Sequence, residues 1–342
     1  MAPESTGQAS SFDDGLARPL VVGDGGRAVR LPNRVFVAPM SGVSDLPFRR
    51  IAERAGAGLV VSEMVASREL VDGNEESLLR LAGEGLGVHA VQLAGRTREW
   101  MAAAAKVAER AGAHLIDINM GCPARKVVGG RSGSALMREP DLAVGLIAAT
   151  VAAVSVPVTV KMRLGWDHDT INAPEIARRA QDLGVAMVTV HGRTREQFYT
   201  GRADWSAVHR VREAIEIPLV VNGDVTSATD ARDALAASGA DAVMIGRGAY
   251  GRPWWPGELA RSAAGQGTAP PEPAALACEH YVGLLRHHGA RAGVRHARKH
   301  VAHYLDRWSP NDPCRADALA SDDPERVLAV LAAALERRAL AA

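Results

Sequence analysis

The chain has 342 residues, 47% of them hydrophobic and 23% charged, with a formal net charge of +1. This composition excludes a wholly disordered chain and is enough to build a large buried core. The near-neutral balance also excludes a global positive field, so a polyanionic partner has to be met by a local patch.

Residues 1–18 read as an unstructured tail with neither the basic nor the apolar stretch of a signal peptide. From there to about residue 265, short β-branched runs alternate with Ala-, Leu- and Arg-rich stretches. The runs start at Val35, Leu59, Val88, Leu115, Val158, Met187, Leu219 and Ala242, between 23 and 43 residues apart. That is the spacing of βα units, which join parallel strands. A doubly wound open sheet shares this alternation. Eight units, and the lack of a G-x-G-x-x-G after the first strand, favour a (β/α)8 TIM barrel over residues 19–265. The uncharged run Leu142–Val160 contains Ser155 and Pro157 and is read as a buried helix followed by a strand, so no membrane span is expected. A Pro-rich stretch from Gln266 reads as a linker. Residues 274–342 lack a strand pattern and are expected to form a small all-helical C-terminal domain.

Barrel chemistry sits at the C-terminal ends of the strands. Here those ends carry Pro39, Met40 and Ser41; Gln92; Asn119 and Cys122; Lys161; His191; Asn222, Gly223 and Asp224; and Gly246 with Arg247. Each polar residue alone could be a satisfied core group, but so many converging on one mouth describe a polar site. The glycines and Arg247 after the seventh and eighth strands suit a phosphate. With Gln92 and Lys161 they suggest FMN, because a Lys beside the ring's N1–C2=O edge stabilises the anionic reduced flavin.

Cysteines number three, Cys122, Cys278 and Cys314, too few and too odd for a disulfide framework, which points to a reducing, cytoplasmic setting. With no second Cys near Cys122, neither a metal site nor a redox disulfide is expected there, although a buried structural Cys remains an alternative. Thiols ordinarily titrate above neutral pH, so a cysteine can act as an acid as well as a nucleophile. The loop after it, residues 125–133, is basic and Gly-rich, suited to a phosphate-facing lid or to a solvated surface loop.

Residues 282–315 hold seven Arg or Lys against two Asp, a net +5. Arg291, Arg295, Arg298 and Lys299 share one helix face, with Val294, Val301, Leu305 and Trp308 on another. Such a face is either solvated or meets a polyanion; in a neutral protein it points to a polyanionic partner.

Taken together these residues resemble the tRNA-dihydrouridine synthases, closest to the bacterial B-type branch. The segments that carry the likeness include APMSGVSDLPFR (38–49), IDINMGCPARKV (116–127), VTVKMRLGW (158–166), TVHGRTREQFYTGRADW (189–205) and DAVMIGRGAYGRPW (241–254). The resemblance covers roughly residues 30–308. It implies an FMN barrel followed by a helical tRNA-binding domain, and NADPH-driven (NADH as the alternative donor) reduction of the uracil C5–C6 bond. By motif, Pro39, Met40 and Ser41 meet the flavin, Gln92 and Lys161 bind its ring, and His191 lies beside it. Asn222, Gly223, Asp224, Gly246 and Arg247 hold the ribityl phosphate arm, and Cys122 donates the proton to C5. The candidate RNA contacts are Lys126, Arg193, Arg195, Arg291, Arg295, Arg298 and Lys299. No metal, membrane or obligate protein partner is expected. The rival readings are a flavin barrel reducing a small molecule, an RNA-binding protein with an idle redox site, and an aldolase-type barrel using Lys161.

Overall fold

The computed structural model describes residues 13–266 and 272–339. Parallel strands follow one another around a barrel in chain order: Val35–Val37, Leu59–Val60, Ala90–Ala94, Leu115–Met120, Val158–Arg163, Met187–His191, Leu219–Asn222 and Ala242–Ile245. The second position is split. Leu59–Val60 pairs with the first strand, Val65–Ala66 pairs with the third, and a bridge from Val61 to Ala90 joins the halves and closes the ring.

Strand alternation decides what fills the barrel. Side chains on one strand point alternately in and out, and in-register neighbours in a parallel sheet point the same way. In Leu115–Met120, Leu115, Asp117 and Asn119 face inward, while Ile116, Ile118 and Met120 join the core under the helices. The inward rows therefore grade from apolar to polar towards the C-terminal ends. At the bottom, Ala90, Leu115, Met187, Val220 and Ala242 pack together with Phe36, Leu59 and Met244. An antiparallel hairpin of Leu20–Val22 and Val29–Leu31 plugs this end with Leu20, Val22 and Leu31.

The helices outside the barrel bury one stripe each. In Arg98–Arg110 the buried residues are Met101, Ala104, Ala105 and Ala108, the i, i+3, i+4, i+7 pattern. Residues 142–160 form the helix Pro140–Val151 and the start of the fifth strand, as read from sequence. Among the described residues no helix is long and apolar enough to cross a membrane. Within the stretch expected to be unstructured, Asp13–Ala17 is a short helix whose Leu16 is buried in the main core. Residues 1–12 lie outside the described residues, as do residues 267–271 of the expected linker.

Helices Pro273–His288, Ala290–Trp308, Arg315–Ala320 and Pro324–Ala339 pack around a second core of Tyr281, Leu284, Val301, Tyr304, Leu305 and Leu331. That core includes Trp254 from the barrel's last loop, stacked on Tyr304 and Trp308 at centroid distances of 6.4 and 5.8 Å.

Candidate active site

At the C-terminal mouth of the barrel lies a cavity of about 570 Å³. All twelve barrel residues expected at the flavin or as proton donor line it: Pro39, Met40, Ser41, Gln92, Cys122, Lys161, His191, Asn222, Gly223, Asp224, Gly246 and Arg247.

Cys122 sits on a turn fixed from three directions. The Asn119 side-chain carbonyl accepts from the backbone N–H of Gly121 and Cys122, at 3.2 and 3.0 Å. Arg163 Nε donates to the Gly121 carbonyl at 2.9 Å. The Cys122 carbonyl accepts from Ser134 N and Oγ, at 3.1 and 2.9 Å. Gly133 (φ 60°) is required beside it, since a Cβ there would stand 2.8 Å from Val127 Cγ1 and 2.9 Å from the Cys122 carbonyl.

Lys161 and His191 face the same space from the fifth and sixth strands. The Lys161 ammonium donates to Asn222 Oδ1 at 3.0 Å. Burial, with repulsion from Arg163, lowers its pKa to about 8, although Asp117 and Cys122 favour the charged form. His191 is held well below the usual histidine range by burial and by Arg163, Lys161, Arg193 and Arg247, so its ring is neutral at pH 7. Its Nδ1 is buried without a partner among the described residues, an open hydrogen-bonding position for a ligand.

Beneath them runs a buried row. Gln92, Asp117 and Thr159 are register neighbours on the third, fourth and fifth strands. Asp117 accepts from Gln92 Nε2 at 2.7 Å and from Thr159 Oγ1 at 2.6 Å, and Gln92 Oε1 accepts from Asn119 Nδ2 at 2.6 Å. Neither Asp117 nor Thr159 was among the expected site residues. The signal was inside the Ile-Asp-Ile-Asn-Met motif, where strict alternation puts Asp117 on the same inward side as Asn119.

The expected RNA contacts differ in their surroundings. Arg193 is 1% exposed, bonded to Asp224 at 2.6 and 2.9 Å and to the carbonyls of Thr200 and Gly201, so a phosphate would meet it only after those bonds opened. The Asp224 carboxylate is engaged by Arg193, Arg247 and the Ala203 N–H, so an anionic arm would meet Arg247 rather than Asp224. Arg195 is half-buried, stacked on Trp166 and Phe198. The expected basic face on Ala290–Trp308 also divides. Arg291 and Arg295 are exposed, Arg298 pairs with Asp322, and the Lys299 ammonium lies against Gly42. Lys126 is exposed on the short helix after Cys122. Cys122, Cys278 and Cys314 are all unpaired.

The donor set suits a flavin mononucleotide: an inward amide at Gln92, a buried ammonium at Lys161, an unpartnered His191 Nδ1, and Arg247 at the mouth. Gly223 (φ 117°) keeps the wall open, since a Cβ there would come within 2.7 Å of Ala203.

The family profile described as "Dihydrouridine synthase (Dus)" matches residues 36–340. A protein of Rhizobium leguminosarum bv. phaseoli named "Probable tRNA-dihydrouridine synthase" is 58% identical over 313 residues, 90% of this chain and 97% of its own length. "tRNA-dihydrouridine synthase B" of Xanthomonas campestris pv. campestris is 45% identical over 303 residues, 87% of this chain and 91% of its own. Among solved structures, morphinone reductase in complex with tetrahydroNAD superimposes with a TM-score of 0.52 at 18% identity, over 76% of this chain and 93% of its own. The old yellow enzyme homologue from Zymomonas mobilis does so with a TM-score of 0.53 at 17% identity, over 75% and 94%. These two likenesses concern the barrel fold.

Proposed function

The chain belongs to the dihydrouridine synthase family, and on that premise we propose that it reduces the C5–C6 double bond of specific uridines in tRNA, with FMN as cofactor and NADPH, or NADH, as electron donor. The observation that carries this reading is Cys122, held on the rim of the cavity into which Gln92, Lys161 and His191 also open. When bound, the flavin supplies the hydride that adds to C6 of the uracil. Gln92 and Lys161 hold its ring, His191 Nδ1 offers a further polar contact, and Arg247 meets the phosphate.

Cys122 delivers the proton to C5, a general acid step worth typically about 10²–10⁴ in rate. The thiolate left behind regains its proton from solvent. The uridine has to leave the folded RNA to reach the cavity. Phosphates flanking it meet Lys126 and, on the helical domain, Arg291 and Arg295, which hold the RNA without reading its sequence. Unpaired thiols suit a reducing, cytoplasmic setting.

The test is incubation with NADPH and tRNA, followed by digestion and mass spectrometry for uridine that has gained two hydrogens. Cys122→Ala is expected to keep its flavin and its oxidation of NADPH by oxygen while losing this product by about 10² or more. No gain on any tRNA from flavin-loaded, reducible protein overturns the reading in favour of a small-molecule reductase. Full turnover by Cys122→Ala removes the role of the thiol.

A further inference from the structure

We infer that Asp117 is a positioning residue which, through Gln92 and Asn119, fixes the turn carrying Cys122 and sets which way both amides face. The inference rests on the proton-donor reading of Cys122 for its functional consequence, but not for its geometry.

An ionised carboxylate is acceptor-only, and a backbone N–H is donor-only. The chain runs from the Asp117 carboxyl to two backbone N–H groups; burial raises the Asp117 pKa, while the bonds from Thr159 and Gln92 and the Lys161 charge favour its ionised form. Asp117 accepts from Gln92 Nε2, Gln92 Oε1 accepts from Asn119 Nδ2, and Asn119 Oδ1 accepts from the N–H groups of Gly121 and Cys122. Both amides can satisfy these ends in only one orientation. Flipping either one sets donor against donor or carbonyl against carboxylate. Gln92, Asp117 and Asn119 are 1%, 4% and 7% exposed, so no bulk water stands by to rescue a broken link.

The same orientation decides what the cavity meets. After its bond to Asp117, Gln92 keeps one Nε2 proton; the second Nδ2 proton of Asn119 faces only the weak acceptor Met64 Sδ, at 3.9 Å. Both residues line the cavity. Asp117 therefore makes this wall a donor surface, complementary to carbonyl oxygens and ring nitrogens. Thr159 Oγ1 donates to the other carboxylate oxygen of Asp117, so both oxygens are held.

The test separates orientation from charge. In Asp117→Asn, the amide oxygen can still accept from Gln92 while its NH₂ donates to Thr159 Oγ1, so the chain keeps its direction. In Asp117→Ala the anchor is gone. All variants are made with Cys278→Ser and Cys314→Ser, and the flavin-free protein is alkylated with iodoacetamide so that the rate reports on Cys122 alone. Asp117→Ala is expected to change that rate by about fivefold or more, the value of one hydrogen bond, with Asp117→Asn within about twofold of the parent. On tRNA, Asp117→Ala should lower kcat by about 10² while KM moves little, and Asp117→Asn should restore most of it.

A parental alkylation rate in Asp117→Ala overturns the inference. So does an Asp117→Asn variant as damaged as Asp117→Ala, since charge rather than direction would then be what matters. If Asp117→Ala does not fold, Thr159→Val carries the test. It should shift the alkylation rate about two- to fivefold, and an unchanged rate overturns the inference. Because the alkylation readout needs neither flavin nor RNA, it can succeed even if the proposed reaction fails.

Discussion

Lys161 is the residue whose function and stability should pull in opposite directions. Its ammonium is held at the cavity with one hydrogen bond, to Asn222, and its pKa falls from 10.5 to about 8. A drop of that size corresponds to roughly 3 kcal/mol against the charged folded form, at about 1.4 kcal/mol per pH unit. The Lys161 residue is only half-buried, and Asp117 would lose an attractive neighbour if the charge were removed. We therefore expect flavin-free Lys161→Met to be more stable than the parent at pH 7 by about 2 kcal/mol.

The sign with pH follows from proton uptake. Because the folded-state pKa lies below the unfolded one, the unfolded chain binds more protons between about pH 8 and 10.5. The penalty is complete below that window and disappears as the pH rises through it. Urea denaturation of parent and Lys161→Met at pH 7 and near pH 10.5 should show a gap that closes at the upper value. The same variant should lose flavin affinity, measured by absorbance after dialysis. A destabilised Lys161→Met, or a gap that does not change with pH, would refute the claim that burial of this charge is a cost tolerated for the site.

Two further outcomes follow from the arginines. Asp224→Ala leaves the 2%-exposed Arg193 side chain without its carboxylate and should cost about 3 kcal/mol or more, read by thermal or urea unfolding. Burial pushes the Asp224 pKa up but Arg193 outweighs it, so the folded value lies below 3.8; the pair's stabilisation is complete above that pH and lost as pH falls through the folded value, a loss the variant should not show. Reversing the charges of Arg291 and Arg295 should weaken tRNA binding about tenfold and flatten its salt dependence by about two counterions, while sparing NADPH oxidation by oxygen. Unchanged affinity would remove this helix from the RNA surface.

What the sequence disclosed depended on period. The eight β-branched runs and the polar residues at their ends are local features, so the barrel and its mouth were readable before any coordinates. The split second strand was not, because nothing local to residues 59–66 says that the ring closes through a single bridge at Val61. The hairpin at residues 20–31 was missed for a similar reason: each strand has three residues, too short for alternation to register. Asp117 was hidden in plain view, because attention to strand ends passes over a residue two positions below. Helix spacing put Arg298 and Lys299 on the face of Arg291 and Arg295. It could not say that Asp322 and the Gly42 loop already occupy that side of the helix.

That last difference bears on how the helical domain is mounted. It packs on the barrel's first helix, where Arg54 pairs with Glu279 at 2.6 Å, and it also touches loops that build the cavity. His288 Nε2 lies 3.7 Å from Asp45 Oδ2, and Lys299 rests on Gly42, both in the loop that begins with Met40. On the other side, His303 stacks on Tyr250 at 4.4 Å, Arg307 Nε donates to the Tyr250 carbonyl, and Trp308 Nε1 donates to the Gly251 carbonyl at 2.6 Å. Tyr250 lies three residues after Arg247. The helix Ala290–Trp308 thus touches the first loop through Lys299 and the eighth through His303, Arg307 and Trp308, while its Arg291 and Arg295 are exposed. A phosphate backbone held by those two arginines would be held at a fixed distance from Met40, Arg247 and the thiol across the cavity. A basic patch on a freely tethered domain would supply affinity alone; mounted on the loops of the site, it would also supply register, which the proposed reaction on one extruded base would require.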